Sequence, residues 1–390
     1  MVLLALTGEA QIITTEPPLP RGEEAVTIYY DATQGSGGLK GYTGDVYAHT
    51  GVLTGESSGG SDWKYVKSGW GENTPETKLT RISEDYYSME IGPSLREYYG
   101  VPDGTEITHM AFVFRSADSE LEGKGDGNSD IYVKVFTGGL DVSIIEPNQH
   151  RVVDPGHELT FLAAASMEAD LSLQLNAEEV KSLTGESIDY SFTFDSSGDY
   201  WIRIFAYADG QTAADSVFIH VKGEEQTAPL PEGVNEGINY LDKQTAVLVL
   251  YAPLKEDVYL IGDFNKWIPN TASRMIRDGD HFWFYLDDLN PGEEYGYQYL
   301  VEGKLRIADP YTEKTLDPND KWIDEATYPG LKPYPSGLTT GITSVLQTAQ
   351  EAYDWGPTSF TAPPQEDLVI YELLVRDFLA AHDWKTLTDT

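Results

Sequence analysis

The sequence has no cysteine, few basic residues and no long apolar stretch. The absence of cysteine excludes a disulfide framework and Cys-ligated zinc, and it is compatible with either the cytosol or export. Only 26 Lys and Arg stand against 64 Asp and Glu, for a net charge of −38. This balance argues against nucleic acid or an anionic membrane as a partner. No segment approaches the roughly 18 apolar residues of a transmembrane helix.

Aromatic residues and turn formers are abundant. Aromatics make up 12% of the 390 residues, and the acidic residues are scattered, which favours folded domains over a disordered acidic tail. The length suits about three domains.

With 7 scattered histidines, no metal site or cofactor is expected in this chain. The oligomeric state is left open.

Strand patterns without helical periodicity recur along most of the chain and predict an all-β fold of three tandem, immunoglobulin-like β-sandwiches. The predicted divisions are residues 1–22 (signal-peptide remnant and linker), 23–138 (first sandwich), 139–223 (spacer sandwich), 224–328 (third sandwich), 329–365 (Pro-rich connecting segment) and 366–390 (start of a further domain).

The N-terminus allows two interpretations. Val2–Thr7 resembles the end of an apolar signal core, and Gly8–Ala10 offers small residues for cleavage, although a basic n-region is missing. This interpretation predicts a secreted or cell-envelope protein. The alternative is the frayed start of an ordinary domain.

Several local patterns make sharper predictions. In the first sandwich, a helix is expected over Pro93–Tyr99, capped by Gly100. In the second, separate strands are expected at Glu158–Ala164 and Leu171–Leu175. Tyr200, at the start of a β-branched run, matches the tyrosine corner of immunoglobulin-like domains.

A candidate ligand-binding surface lies in the first sandwich. Trp63, Tyr65 and Trp70 fall in a Gly/Ser-rich stretch, residues 55–71, where large aromatics have less reason to belong to a core. Sugar rings stack on exposed aromatic planes, so these residues are predicted to bind carbohydrate. The alternative is that Trp63 and Trp70 pack inward as strand residues.

Two stretches resemble one enzyme family. The segment 367–378, DLVIYELLVRDF, resembles the first barrel strand of glycoside hydrolase family 13, the α-amylase superfamily, and Leu368–Tyr371 has the apolar character of a buried parallel strand. The segment 258–267, ending GDFNKW, is similar to the signature of carbohydrate-binding module family 48, and Leu289–Lys314 continues that similarity.

The resemblance implies a truncated (β/α)8 barrel after the sandwiches. The family carries its catalytic carboxylates on strands beyond the first, so no catalytic residue is predicted here and the chain alone should be inactive. The intact protein would act on starch-like α-glucans, with Ca²⁺ conceivable only in the missing barrel. The alternatives are a non-catalytic glycan-binding surface protein and a structural or adhesion array.

The resemblance also bears on the third sandwich. Trp267 matches one of the stacking tryptophans of the module family and is therefore a candidate carbohydrate-binding residue. Leu305 and Gln298 stand where the family has a second tryptophan and a binding lysine. Because two of three anchors are missing, packing against a barrel is the favoured role of this sandwich.

Overall fold

The computed structural model describes residues 11–351 and 361–389 and is built mainly from β-strands. The predicted signal remnant, Val2–Thr7 with Gly8–Ala10, lies outside the described residues. The strands form three sandwich units in chain order, followed by a segment with two short helices.

The first unit packs two antiparallel sheets around one core. The elements are β1 (Ile13–Glu16), β2 (Val26–Asp31), β3 (Val46–Thr54), β4 (Thr80–Ser83), β5 (Tyr86–Ile91), α1 (Leu95–Tyr99), β6 (Ile107–Ser116), β7 (Glu122–Gly123) and β8 (Ile131–Lys134). The sheet orders are β1-β2-β5-β4 and β3-β6-β7, and β8 pairs with β6 on the same edge as β7.

Alternation decides which side chains reach this core. Along β2 the buried residues Ile28 and Tyr30 alternate with half-buried neighbours, and Tyr30 stacks on Phe114 of β6 with ring centroids 3.9 Å apart. Helix α1 ends where predicted but begins at Leu95 rather than Pro93: Ser94 accepts a hydrogen bond from the Glu97 N–H, and Gly100 ends the helix at φ 73°.

The second unit is built around a long hairpin. Its strands are β9 (Val142–Glu146), β10 (Arg151–Val153), β11 (His157–Leu175), β12 (Glu178–Phe194), β13 (Gly198–Ala208) and β14 (Gln211–Val221). The two strands predicted at Glu158–Ala164 and Leu171–Leu175 are one strand, irregular between Ala164 and Ala169. The irregularity lets one half of β11 pair with β9 and the other with β13, so a single strand serves both sides of the core.

The predicted tyrosine corner of this unit is present. The Tyr200 hydroxyl donates a hydrogen bond to the Ser196 carbonyl at 2.9 Å. Such a bond ties the start of a strand to the preceding turn, as in immunoglobulin-like domains.

The third unit again packs two sheets. The strands are β15 (Gly237–Tyr240), β16 (Ala246–Tyr251), β17 (Val258–Gly262), β18 (Ile276–Asp278), β19 (His281–Leu286), β20 (Glu294–Val301), β21 (Leu305–Ile307), β22 (Lys314–Leu316) and β23 (Thr343–Gln347). The sheet orders are β15-β16-β19-β18 and β17-β20-β23-β22, with β21 beside β20. Strand β23 lies inside the predicted connecting segment. Because it pairs with both β20 and β22, the third sandwich continues beyond residue 328.

The last described segment forms no strand. Leu368–Tyr371 was predicted as a barrel strand, but these residues are irregular and Val369 is 94% exposed. A parallel strand needs hydrogen-bonding neighbours, and the described part of the chain supplies none here. The helices that follow are α2 (Val375–Phe378) and α3 (Trp384–Asp389). The barrel therefore remains an expectation.

The second and third units meet through a small apolar cluster and an ion-pair group. Val152 of β10 packs on Tyr259, Ile261, Trp267 and Leu300 of the third unit. Beside this cluster, Asp257 is 4% exposed and pairs with Lys222 at 2.8 Å and with Arg274. Buried apolar contact combined with paired charges indicates a specific junction rather than a loose tether.

Candidate functional site

The candidate site lies on the outer face of the β3-β6-β8 sheet of the first unit. In β3, Val46 and Ala48 point into the core, so Tyr47 and His49 point outward. The antiparallel register sets His49 opposite Val113 and Tyr47 opposite Arg115. The outer face thus carries the polar and aromatic side chains of Tyr47, His49 and Arg115 beside the apolar Val113.

The Gly/Ser-rich stretch runs along the edge of β3 and folds over this face. Val52 and Lys64 exchange two backbone hydrogen bonds of 2.9 and 2.7 Å, and the Lys67 N–H donates to the Thr50 carbonyl at 2.9 Å. A Cβ at Gly51 would lie 3.0 Å from the Lys64 carbonyl oxygen. Glycine at position 51 therefore allows this loop to approach the sheet closely.

Two tryptophans of the loop contact one histidine of the sheet. Trp63 stacks on His49 with ring centroids 5.5 Å apart and planes 24° apart. Trp70 meets the same ring edge-on, at 5.2 Å and 75°. The two indole planes are therefore strongly inclined to each other. Trp70 is 50% exposed and Tyr65 38%, whereas Trp63 is half-buried.

Arg115 holds the part of the loop that follows Trp70. Its guanidinium is buried and donates to the Glu72 carbonyl at 2.5 Å and to the Asn73 side-chain oxygen at 2.8 Å. Asn73 in turn donates to the Ala117 carbonyl at 2.9 Å. These bonds fix the loop without using the exposed faces of the aromatic residues.

Polar groups border the aromatic residues. The Tyr132 hydroxyl donates to the Gly60 carbonyl at 2.9 Å and lies 3.3 Å from the Asp130 carboxylate. Burial raises the pKa of Asp130, with Tyr132 and nearby cations opposing it. Asp62 pairs with Lys64 at 2.9 Å, and hydrogen bonds from the Ser58 N–H and from Lys64 lower its pKa to about 2.

His49 is uncharged at neutral pH in this setting. Burial lowers its pKa from the ordinary 6.5, and the charge of Arg115 lowers it further. A neutral imidazole is a flat, weakly polar surface that an indole covers without paying for a buried charge. We conclude that His49 positions the two tryptophans.

The other predicted binding residue, Trp267, lies elsewhere. It is 3% exposed, belongs to the junction between the second and third units, and donates its indole N–H to Asp263 at 3.1 Å. Leu305 is exposed on β21, and Gln298 is buried, donating to the carbonyls of Thr340 and Ile342. This geometry offers no open aromatic face at Trp267, and its role in sugar binding stays a prediction.

The structure thus brings Trp63, Tyr65 and Trp70 onto one loop and leaves Trp267 in a different unit. Neither Trp63 nor Trp70 belongs to the core cluster of the first unit. His49 and Arg115 are not among the residues predicted from the sequence. The alternation of β3, in which Val46 and Ala48 point inward, would have placed His49 on the outer face.

The described residues contain no group of three or more His, Asp or Glu placed to hold a metal ion. Within the same part of the chain, no helix is long and apolar enough to cross a membrane.

Comparisons with known proteins do not assign a family. No protein-family model and no curated protein matches the sequence. Among solved structures, the chain is similar to fibronectin(III)-like modules of CbhA from Clostridium thermocellum, with 22% identity over 22% of this chain and 96% of that one, at a TM-score of 0.18. A titin Z1Z2 tandem shows 12% identity over 43% of this chain and 94% of that one, at a TM-score of 0.22. For β-glucuronidase 3 of Bacteroides uniformis the identity is 9%, over 50% of this chain and 30% of that one, at a TM-score of 0.22. Similarities this weak carry no argument about function.

Proposed function

We propose that this chain binds carbohydrate through the loop and sheet face that carry Trp63, Tyr65 and Trp70. One observation carries the proposal: both tryptophans contact His49 on the outside of a β-sandwich, and Trp70 keeps half of its surface exposed. Large aromatics held outside a core by buried polar anchors are typical of sites that stack on flat ligands.

The inclination of the indoles favours a curved saccharide. A β-1,4-linked glucan is flat and suits aromatic rings that lie in one plane, whereas an α-1,4-linked glucan curves. Trp63 lies nearly parallel to His49 and Trp70 is close to perpendicular to it, so the pair presents two differently oriented faces. We therefore propose a starch-like α-glucan as the ligand.

The nearby polar groups support sugar recognition. The Tyr132 hydroxyl, the Asp130 carboxylate and the Asp62–Lys64 ion pair border the aromatic residues. Sugar hydroxyls need donors and acceptors of this kind at the rim of an aromatic surface. We place the site in the non-catalytic part of a secreted or cell-envelope α-amylase-family hydrolase, with the third unit supporting the barrel.

The test is isothermal titration of maltoheptaose into this chain and into a variant that carries Trp63→Ala and Trp70→Ala. We expect the unchanged chain to bind maltoheptaose with a measurable heat, and the double variant to show no measurable heat of binding. A matched control is Trp384→Ala with the same ligand, since that exposed indole lies outside the Trp63–Trp70 pair. Absence of binding by the unchanged chain would refute the proposal. Equal binding by the double variant would move the site elsewhere.

A further inference from the structure

Trp322 is a large aromatic side chain that no core uses. It is 72% exposed and ends a short 3-10 turn, Asp320–Trp322, in the long loop between β22 and β23. Only the exposed residue Trp384 of α3 matches this exposure among the described tryptophans. An indole left so open contributes little to folding, so its surroundings decide what it can do.

The loop that carries Trp322 lies against the first unit. A Cβ at Gly59 would lie 4.0 Å from Cδ of Lys321, and a Cβ at Gly127 would lie 3.2 Å from the Gly341 nitrogen. Two separate points of this loop thus approach two glycines of the first unit. At Gly127 the missing side chain allows the close approach, whereas at Gly59 the distance is that of an ordinary van der Waals contact.

The Gly59 contact lies beside the candidate binding site. The neighbouring Gly60 carbonyl accepts the hydrogen bond from Tyr132, and the same loop leads to Trp63 three residues later. The Lys321 ammonium lies 4.7 Å from the centre of the Trp322 ring. The side chain of Lys321 therefore lies next to both the Trp322 ring and Gly59.

The charges at this contact are complementary. Asp62 and Asp130 of the first unit act electrostatically on Lys321 and favour its charged form, while burial is the larger effect and lowers its pKa. In return, Lys321 is one of the cations that oppose the raised pKa of Asp130. The two carboxylates thus attract the Lys321 ammonium, while Lys64 repels it.

We infer that Trp322 is a further sugar-stacking residue, so that the binding site spans the first and third units and accepts a longer glycan than the Trp63–Trp70 pair alone. The inference rests on the function proposed above. A short oligosaccharide covers the tryptophan pair only, and a longer one continues past Gly59 to the Trp322 ring. Chain-length preference then depends on how the two units are joined.

The experiment is isothermal titration of maltotriose and maltoheptaose into the full chain and three variants: Trp322→Ala, Trp322→Phe and Trp384→Ala. Loss of one stacking contact should weaken maltoheptaose binding by about five- to tenfold in Trp322→Ala. Maltotriose binding should not change. Trp322→Phe keeps an aromatic face and should recover most of the affinity, and Trp384→Ala controls for the loss of an equally exposed indole.

The possible results separate the two proposals. If the unchanged chain binds neither sugar, the proposed function fails and the inference fails with it. If the unchanged chain binds both sugars and Trp322→Ala binds maltoheptaose equally well, only the inference is overturned. An equal loss in Trp384→Ala, or an equal loss for maltotriose, would also overturn it, because neither depends on a contact at the far end of the glycan.

Discussion

Replacing Trp267 with Ala should destabilise the third unit strongly and leave maltotriose binding by the first unit intact. The side chain is 3% exposed and packs on Tyr259, Ile261, Leu300 and Val152. Truncating a buried tryptophan costs about 3–5 kcal/mol. Its partner Asp263 still accepts from the Gly296 N–H at 2.8 Å and pairs with Lys332 at 3.0 Å, so the lost indole bond adds little.

The matched substitution is Trp70→Ala, for which the opposite outcome is expected. Trp70 is 50% exposed and lies outside the core of the first unit, so its removal should cost no more than about 1 kcal/mol of stability. Its indole is half of the proposed binding pair. Binding of maltoheptaose should therefore be lost while the fold is retained.

Hydrogen–deuterium exchange with mass spectrometry measures the stability of each unit separately. In Trp267→Ala, a loss of about 3–5 kcal/mol corresponds to roughly 10²- to 10⁴-fold faster exchange of β17 amides, provided that these amides exchange by opening of the unit. The first unit should exchange as before. A Trp267→Ala protein with unchanged β17 exchange and no maltoheptaose binding would refute the packing role and assign Trp267 to the sugar site.

Three further outcomes are expected. Gly51→Val should displace the loop at Lys64 and weaken maltoheptaose binding more than tenfold in a titration, because even a Cβ would lie 3.0 Å from the Lys64 carbonyl oxygen; unchanged affinity would contradict this. Arg115→Met should cost about 2–3 kcal/mol in urea unfolding of the first unit, since buried acceptors lose a charged donor, and a loss below about 0.5 kcal/mol would count against the anchoring role. Burial lowers the pKa of His49 and His220 in the folded chain below 6.5. As pH falls, these histidines therefore take up protons in the unfolded chain before they do so in the folded chain. The free energy of unfolding should consequently decline as pH falls below 6.5. Melting temperatures measured from pH 7.5 to 5.5 check this, and His220→Gln should flatten the decline.

Local patterns predicted much of the fold. Helix α1 ends at the predicted Gly100, and Tyr200 makes the predicted corner bond. These features depend on alternation, capping and turn chemistry, which act over a few residues. Prediction was poorer for elements whose structure depends on pairing with other strands. Leu368–Tyr371 has the apolar pattern of a strand but no partner strand among the described residues, and β11 continues through a bulge that the sequence does not announce.

The candidate site was likewise predicted only in part from the sequence. Composition and the Gly/Ser-rich context pointed to Trp63, Tyr65 and Trp70, since glycine-rich loops expose the aromatics that they carry. The contacts with His49, the anchoring by Arg115 and the approach of Lys321 join residues up to about 260 positions apart. Pairing of β3 with β6 and packing between units create these contacts, and neither is a property of a short stretch of sequence. The sequence alone therefore determined which residues could stack on a sugar, and the tertiary structure decided which of them share one surface.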